Sequence, residues 1–200
     1  MARNYTMRKR ADAHDRTRER ILHATMQVHD EKGVAPATLS EIAARAGVGL
    51  ATVSRHFPTY SDLVQACGAH VWMEMRPPVP DDAAAVFAGL QDTPARLARL
   101  VGEVDAFYAR GAHRLRLAGR DRDLMPELDG FLTAVEAGIA ALVREALALE
   151  RLPERTVGTA IALMSFPVWL AFGKIGLSPA EMATFRIRLL QCGLKAVPSP

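Results

Sequence analysis

Apolar residues recur along this chain at spacings of three and four, with little strict alternation, so the pattern predicts helices and no sheet. Ile21, Leu22, Thr25, Met26 and Val28 form the inner face of a first helix of about twenty residues that ends at Gly33. Thr38 followed by Glu41 is a capping box, so a second helix starts there. Ile42, Ala43 and Ala46 lie on its inner side, with the small Ala43 where another helix can cross closely. Gly47 ends it, because glycine accepts the left-handed conformation without steric cost. Val48 plugs the turn, and Leu50 to His56 make a third helix with Val53, and Phe57 just beyond, facing inward. A fourth helix opens at Thr59, capped with Asp62 three residues on, and runs to about Met75, where Arg76-Pro-Pro-Val-Pro stops it.

Further helical patterns cover 82–90, 94–110, 112–119, 126–150, 153–175 and 179–195. Pro94, Pro126, Pro153 and Pro179 stand where a helix begins, and Thr93 and Ser178 are ready N-caps. The expectation is an all-α chain of nine to ten helices. Residues 1–12 are expected as a flexible basic arm, 13–62 as a three-helix head and 63–200 as a helical body. The fourth helix connects head and body, so the mechanical boundary is expected inside it.

Two short helices joined at a glycine turn have the layout of a DNA-reading helix-turn-helix, whose second helix enters the major groove. The run His56-Phe57-Pro58-Thr59-Tyr60-Ser61-Asp62-Leu63-Val64 follows directly. In Ile42-Ala43, Gly47-Val48, Thr52-Val53, Arg55-His56-Phe57 and Leu63, the stretch from about residue 16 to 66 resembles the TetR family of bacterial transcriptional regulators. That resemblance implies a helix-turn-helix head on a helical body that dimerises and binds small molecules. It implies a repressor released from a palindromic operator when an effector fills the body and moves the fourth helix. The family pattern usually carries tyrosine at the Ser54 position and lysine at the Tyr60 position, both read as phosphate contacts. Losing one cationic contact flattens the salt dependence by about one unit of slope.

Phosphates position a protein on DNA while base edges specify the sequence. Thr38 and Ser40, at the start of the second helix, offer hydroxyls and backbone N–H groups to a phosphate. Gly49, Leu50, Ala51 and Thr52 lead the recognition helix, where Leu50 and Ala51 suit thymine methyls. Thr52, Ser54, Arg55 and His56 are expected to hydrogen-bond bases or phosphates, with the Tyr60 hydroxyl beside them. One short helix reads only a few base pairs, so a homodimer on a near-palindromic site follows from geometry as well. Ile161, Met164, Phe166, Val168, Trp169, Phe172, Met182, Phe185 and Leu189 are the candidates for its interface. The resemblance implies an effector pocket, for which His70, Trp72, Met73, Phe87, Phe107, Tyr108, His113 and Phe131 are the candidate walls.

Charge supports this division. Residues 1–62 hold ten Lys/Arg against seven Asp/Glu, while the rest of the 200-residue chain holds fifteen of each. The whole formal excess of +3 therefore lies on the segment that would meet phosphates. Arg3, Arg8, Lys9 and Arg10 put a basic cluster in the arm, suited to a DNA backbone or minor groove. No apolar segment follows these charges, so they do not read as a secretory signal. Cys67 and Cys192 lie far apart and read as reduced thiols of a cytoplasmic protein. Residues 156–173 are uncharged but interrupted by Pro167, and read as a buried helix rather than a membrane span.

Two other classes fit part of the sequence. His14-Asp15 and His29-Asp30 suggest a metal-dependent hydrolase, but fifteen residues of helix span about 22 Å, too far to share one ion. The sequence has no Gly-x-Ser-x-Gly, no His-Glu-x-x-His and no phosphate-cradling glycine loop, so no catalytic residue, metal or cofactor is expected. A DNA-binding dimer with no effector, acting as a constitutive repressor or architectural factor, has the same sequence signature.

Overall fold

A computed structural model of the chain describes residues 2–195, with side chains described over 11–194. The described residues form ten α-helices and two 3-10 turns: α1 (Ala2–Lys32), α2 (Leu39–Ala46), α3 (Leu50–His56), α4 (Tyr60–Met75), a turn at Pro80–Asp82, α5 (Ala83–Val86), α6 (Thr93–Asp121), a turn at Arg122–Leu124, α7 (Pro126–Ala146), α8 (Glu154–Leu163), α9 (Phe166–Phe172) and α10 (Pro179–Lys195). Two compact units emerge, Met1–Glu74 with Arg116–Gly130, and Met75–Leu115 with Phe131–Pro200. The first unit thus extends past residue 62 through nearly all of α4 and also takes in the end of α6.

Local chemistry sets many of the boundaries. Thr38 caps α2 by accepting the Glu41 N–H while Glu41 accepts from the Thr38 N–H, a reciprocal pair that satisfies two otherwise orphaned donors. Thr59 with Asp62 starts α4 in the same way, and Ser178 with Glu181 starts α10. Gly47, at φ 63°, closes α2. Its N–H bonds the Ala44 carbonyl and the Val48 N–H bonds that of Ala43.

Several expected elements differ. The arm over residues 2–12 lies within α1 as backbone; the side chains of Arg3, Arg8, Lys9 and Arg10 are outside the described residues. The patterns at 94–110 and 112–119 are one helix, because Gly111 is not a break. A Cβ there would overlap the Met75 side chain, so glycine serves close packing inside the second unit. Asp92 caps α6 by accepting the Ala95 N–H, and Thr93 is already helical. Residues 153–175 make two helices, bent by 52°. Pro167 has no N–H to offer and its ring clashes with the carbonyl four residues back, so α8 ends at Leu163 and α9 starts again. No single helix among the described residues is long and apolar enough to cross a membrane; only this bent pair meets the criteria of length and composition.

In the first unit Ile21, Ala24 and Val28 of α1 meet Ile42, Ala43 and Ala46 of α2, Val53 of α3, Phe57 and Leu63 in one apolar cluster. Each large side chain so buried contributes roughly 1.5–3 kcal/mol relative to exposure. In the second unit Leu97, Leu100, Val101, Val104, Phe107 and Tyr108 of α6 are buried, as are Val135, Ile139, Leu142 and Val143 of α7. The linker after α4 is fastened within this unit. Arg110 donates to the carbonyls of Met75 (3.3 Å) and Arg76 (3.5 Å), and Gly138 of α7 leaves room for the Pro78 carbonyl.

Candidate nucleic-acid interface

The third helix is held by one side only. Val53 is wholly buried and Phe57, at its end, nearly so, and both sit in the cluster with Ile21, Ile42 and Leu63. Leu50 remains 47% exposed, and Gly49, Ala51, Ser54 and Arg55 are exposed with it. Thr52 and His56 are half-buried. Gly49, in extended conformation, precedes the helix without any side-chain cap. The result is a seven-residue helix with an outward face of two apolar, one hydroxyl and one guanidinium side chain, the mixture that base edges and thymine methyls require.

Side chains of α1 keep this face in place. Arg20 donates to the carbonyls of Ala46 (2.6 Å) and Gly47 (3.3 Å), closing the C-terminal end of α2. The Arg18 guanidinium lies 4.5 Å from the centre of the Phe57 ring, a cation–π contact at the foot of α3. Arg45 grips Glu31 with both terminal nitrogens, at 2.7 and 2.8 Å. Lys32 reaches Glu41, whose carboxyl is held down to about 2 by Lys32 and by the Thr38 hydroxyl and amide. His56 sits against His14, ring centres 4.2 Å apart. Partial burial, followed by the nearby His14, Arg55 and Arg18, pushes its pKa below the usual histidine value.

Some expected DNA contacts are engaged internally. The Thr38 hydroxyl donates to Glu41 as part of the capping box, leaving exposed Ser40 as the hydroxyl at that helix start. Tyr60 is half-buried. Its hydroxyl donates to the Val34 carbonyl (2.7 Å), so its one proton is committed within the head rather than offered to a phosphate. The bond to His29 Nε2 (3.0 Å) must then run from the imidazole N–H to the phenol oxygen. Burial pushes the Tyr60 phenol above its ordinary range, so it stays protonated. Its sequence neighbours give no hint of this role, which depends on a carbonyl 26 residues away.

The other candidates are divided between the two units. His70, Trp72 and Met73 belong to the first unit, and Phe87, Phe107, Tyr108, His113 and Phe131 to the second. Met73 is 66% exposed and His113 is exposed, while Phe87, Phe107 and Tyr108 are buried. His70 meets Glu74 at 3.2 Å. What gathers in the second unit is an aromatic group around Tyr108, with Phe107, Phe166 and Trp169 at centre distances of 5.2–5.6 Å. Tyr108 donates to the Met164 carbonyl (3.0 Å), and the buried Arg186 pairs with Asp105 beside it. Asp105 and Arg186 went unnoticed in the sequence, where each stands as an ordinary charge on an amphipathic helix.

Of the candidate interface residues, Met164 is wholly and Met182 almost wholly buried within the unit, filling its core. Ile161, Phe166, Val168, Trp169, Phe172 and Leu189 are half-buried, and Phe185 is 43% exposed. His14-Asp15 and His29-Asp30 lie apart in their contacts, His14 on His56 and His29 on Tyr60. Among the described residues no group of three His, Cys, Asp or Glu is arranged to hold a metal ion.

Residues 21–67 match the family model described as bacterial regulatory proteins, tetR family. The chain is 46% identical over 59 residues to the HTH-type transcriptional repressor LfrR of Mycolicibacterium smegmatis, a match spanning 30% of each chain. It therefore covers less than a third of that relative's length by sequence. An uncharacterized HTH-type transcriptional regulator of Mycobacterium bovis, Mb2936c, is 28% identical over 166 residues, 82% of this chain and 83% of the relative. Among solved structures, LfrR in complex with proflavine superposes with a TM-score of 0.51 at 25% identity, over 94% of this chain and 99% of that one.

Proposed function

We propose that the chain is a transcriptional regulator of the TetR family that binds a palindromic operator as a homodimer, represses from it, and leaves it when a small molecule occupies the helical body. The observation that carries the DNA reading is α3 itself, anchored by Val53 and Phe57 and presenting Leu50, Ala51, Ser54 and Arg55 outward. Thr52, Ser54, Arg55 and His56 supply polar contacts, Leu50 and Ala51 apolar ones, and Gly49 and Ser40 the close approach to the backbone. The formal positive excess of the first 62 residues supports the same reading.

Dimerisation is supported by α10. Leu177, Ala180, Glu181, Thr184, Phe185 and Arg188 line a shallow open groove, with Leu177 and Phe185 its large, exposed apolar side chains. Phe185 packs edge-on against Phe172, and a second copy of the same surface would cover the part of it and of Leu177 that stays exposed. The effector reading is supported by the aromatic group around Tyr108 and by the proflavine complex of LfrR. A cytoplasmic location goes with this role.

Retention of random duplex DNA by the purified protein, followed by sequencing, tests the proposal. A palindromic consensus that disappears in a Thr52→Ala/Arg55→Ala double variant is the expected result. Weak retention without sequence preference, falling steeply with salt, refutes specific reading. With the operator known, a small-molecule screen for release from it separates an inducible repressor from a constitutive one.

A further inference from the structure

The turn that feeds the helix-turn-helix is gripped from two other helices. Between α1 and α2 the chain reverses through Gly33, at φ 98°, and Val34. Asp121, the last residue of α6, accepts the backbone N–H groups of Val34 (2.9 Å) and Ala35 (3.1 Å) on one carboxylate oxygen. Arg120 braces that carboxylate through Nε (2.7 Å) and Nη2 (3.1 Å), and the same Nη2 donates to the Lys32 carbonyl (2.6 Å). A side chain on Gly33 would overlap this guanidinium. From the other side, Tyr60 of α4 donates to the Val34 carbonyl. A single peptide group, that joining Val34 to Ala35, is thus held by its N–H from α6 and by its C=O from α4.

This arrangement is more specific than closing a turn requires. The turn already has its own bonds, Gly33 N–H to His29 and Ala37 N–H to Val34. The Asp121 side chain is only 3% exposed, and burying a carboxylate is costly unless its partners are well placed. An apolar contact would secure the loop with less desolvation but without fixing its direction. A carboxylate on two adjacent amides fixes both position and orientation. Three residues after Ala35 comes Thr38, whose capping box starts α2, so the direction of the turn becomes the direction of α2 and, through Gly47, of α3.

We propose that Asp121 is a positioning residue for operator recognition: through the Val34 and Ala35 amides it sets the angle at which α2 and α3 meet the major groove, and so the half-site spacing that the protein accepts. This rests on the reading as a dimeric operator-binding protein. It assigns to the end of α6 a direct hold on the reading head that bypasses the recognition helix entirely.

The test uses the full-length protein, its selected operator and a second duplex lengthened by one base pair at the centre, which displaces the half-sites by about 3.4 Å and turns them by about 35°. Asp121→Asn keeps the shape of the side chain but turns an N–H₂ group toward donors. The affinity of this variant for the cognate duplex is expected to fall about tenfold, and the preference for cognate over lengthened duplex to shrink from about thirtyfold to about threefold. Arg120→Gln, at a half-exposed site that tolerates change, is expected to shrink the preference in the same direction by a smaller factor. Circular dichroism and thermal melting establish that each variant is folded. A variant that merely reduces the folded fraction weakens both duplexes equally. An unchanged preference in both folded variants, or in Arg120→Gln alone if Asp121→Asn does not fold, overturns the proposal. If the wild type itself selects no palindrome, the regulator reading fails first and the proposal falls with it.

Discussion

His29 ties the stability of the reading head to pH in a range where few other groups act. It is 7% exposed, with Tyr60 on Nε2 and Cys67 Sγ 3.8 Å from Nδ1. Because Tyr60 spends its proton on Val34, His29 carries its own on Nε2 and leaves Nδ1 as the acceptor facing the thiol. A second proton would have to sit on Nδ1, in a buried site against another donor. Burial therefore lowers the pKa from 6.5 to about 4, against the opposing pull of Asp30 and Asp121. The unfolded chain then binds protons more readily than the folded one. Stability from this group is complete above about 6.5 and is lost as pH falls toward 4. At about 1.4 kcal/mol per pH unit, the loss is about 3 kcal/mol over the whole window and about 2 kcal/mol by pH 5. The depressed carboxylates, Glu41 and Asp121 among them, lose most of their stabilisation below their ordinary values of 4.5 and 3.8, so they contribute little between pH 8 and 5 and equally in both proteins. His56, shifted in the same direction, adds to the effect. Urea unfolding followed by circular dichroism at pH 8 and 5, for wild type and His29→Gln, isolates it. The wild type is expected to lose about 2 kcal/mol more than the variant over that interval. Equal losses in the two proteins, or an NMR titration placing His29 near its ordinary value, refute the reasoning.

Thr38→Ala removes the hydroxyl half of the capping box and is expected to cost about 1 kcal/mol in urea unfolding, together with faster amide exchange in the first turn of α2. Gly33→Ala, at φ 98° and against the Arg120 guanidinium, is expected to lower the melting temperature by several degrees, from a loss of about 1–3 kcal/mol. Gly138→Ala drives a methyl group into the Pro78 carbonyl and is expected to cost about 1–3 kcal/mol in the same measurement. Phe185→Asp places a charge in the α10 groove and is expected to convert a dimer to monomer in sedimentation velocity while leaving helicity unchanged.

The parts of the fold that sequence disclosed are those decided within four or five residues. Thr38 with Glu41, Thr59 with Asp62, and Ser178 with Glu181 announce their helices because each pair satisfies donors in its own first turn. The bounds of α3 follow from Gly47, the apolar spacing and Phe57. What sequence could not disclose depends on a distant partner. Gly111 resembles a helix break until Met75 is seen lying across it. Pro167 was visible as an interruption, but its consequence, a separate α9, follows from the clash with the turn before it. Tyr60 looks like a surface hydroxyl beside a DNA-reading helix, and only the Val34 carbonyl reveals its commitment. Asp121 gave one faint signal, an acid following Gly119-Arg120 at the end of a helix, but its partners are 86 and 87 residues away.

Gly49 supplies α3 with no side-chain cap, and Val53 is its one buried residue. The third helix therefore contributes little to its own placement, which is delegated to Arg20, Phe57 and the turn at Gly47. Leu50, Ala51, Ser54 and Arg55 are exposed, with only the Ser54 hydroxyl bonded within the helix, to the Leu50 carbonyl, and exchanges at such positions shift stability by only about 0.5 kcal/mol in either direction. If α3 reads an operator as proposed, natural variation can sample new sequences there at almost no risk to folding. On that reading, descendants of this chain are free to acquire new targets one substitution at a time, while the scaffold that delivers the helix stays as it is.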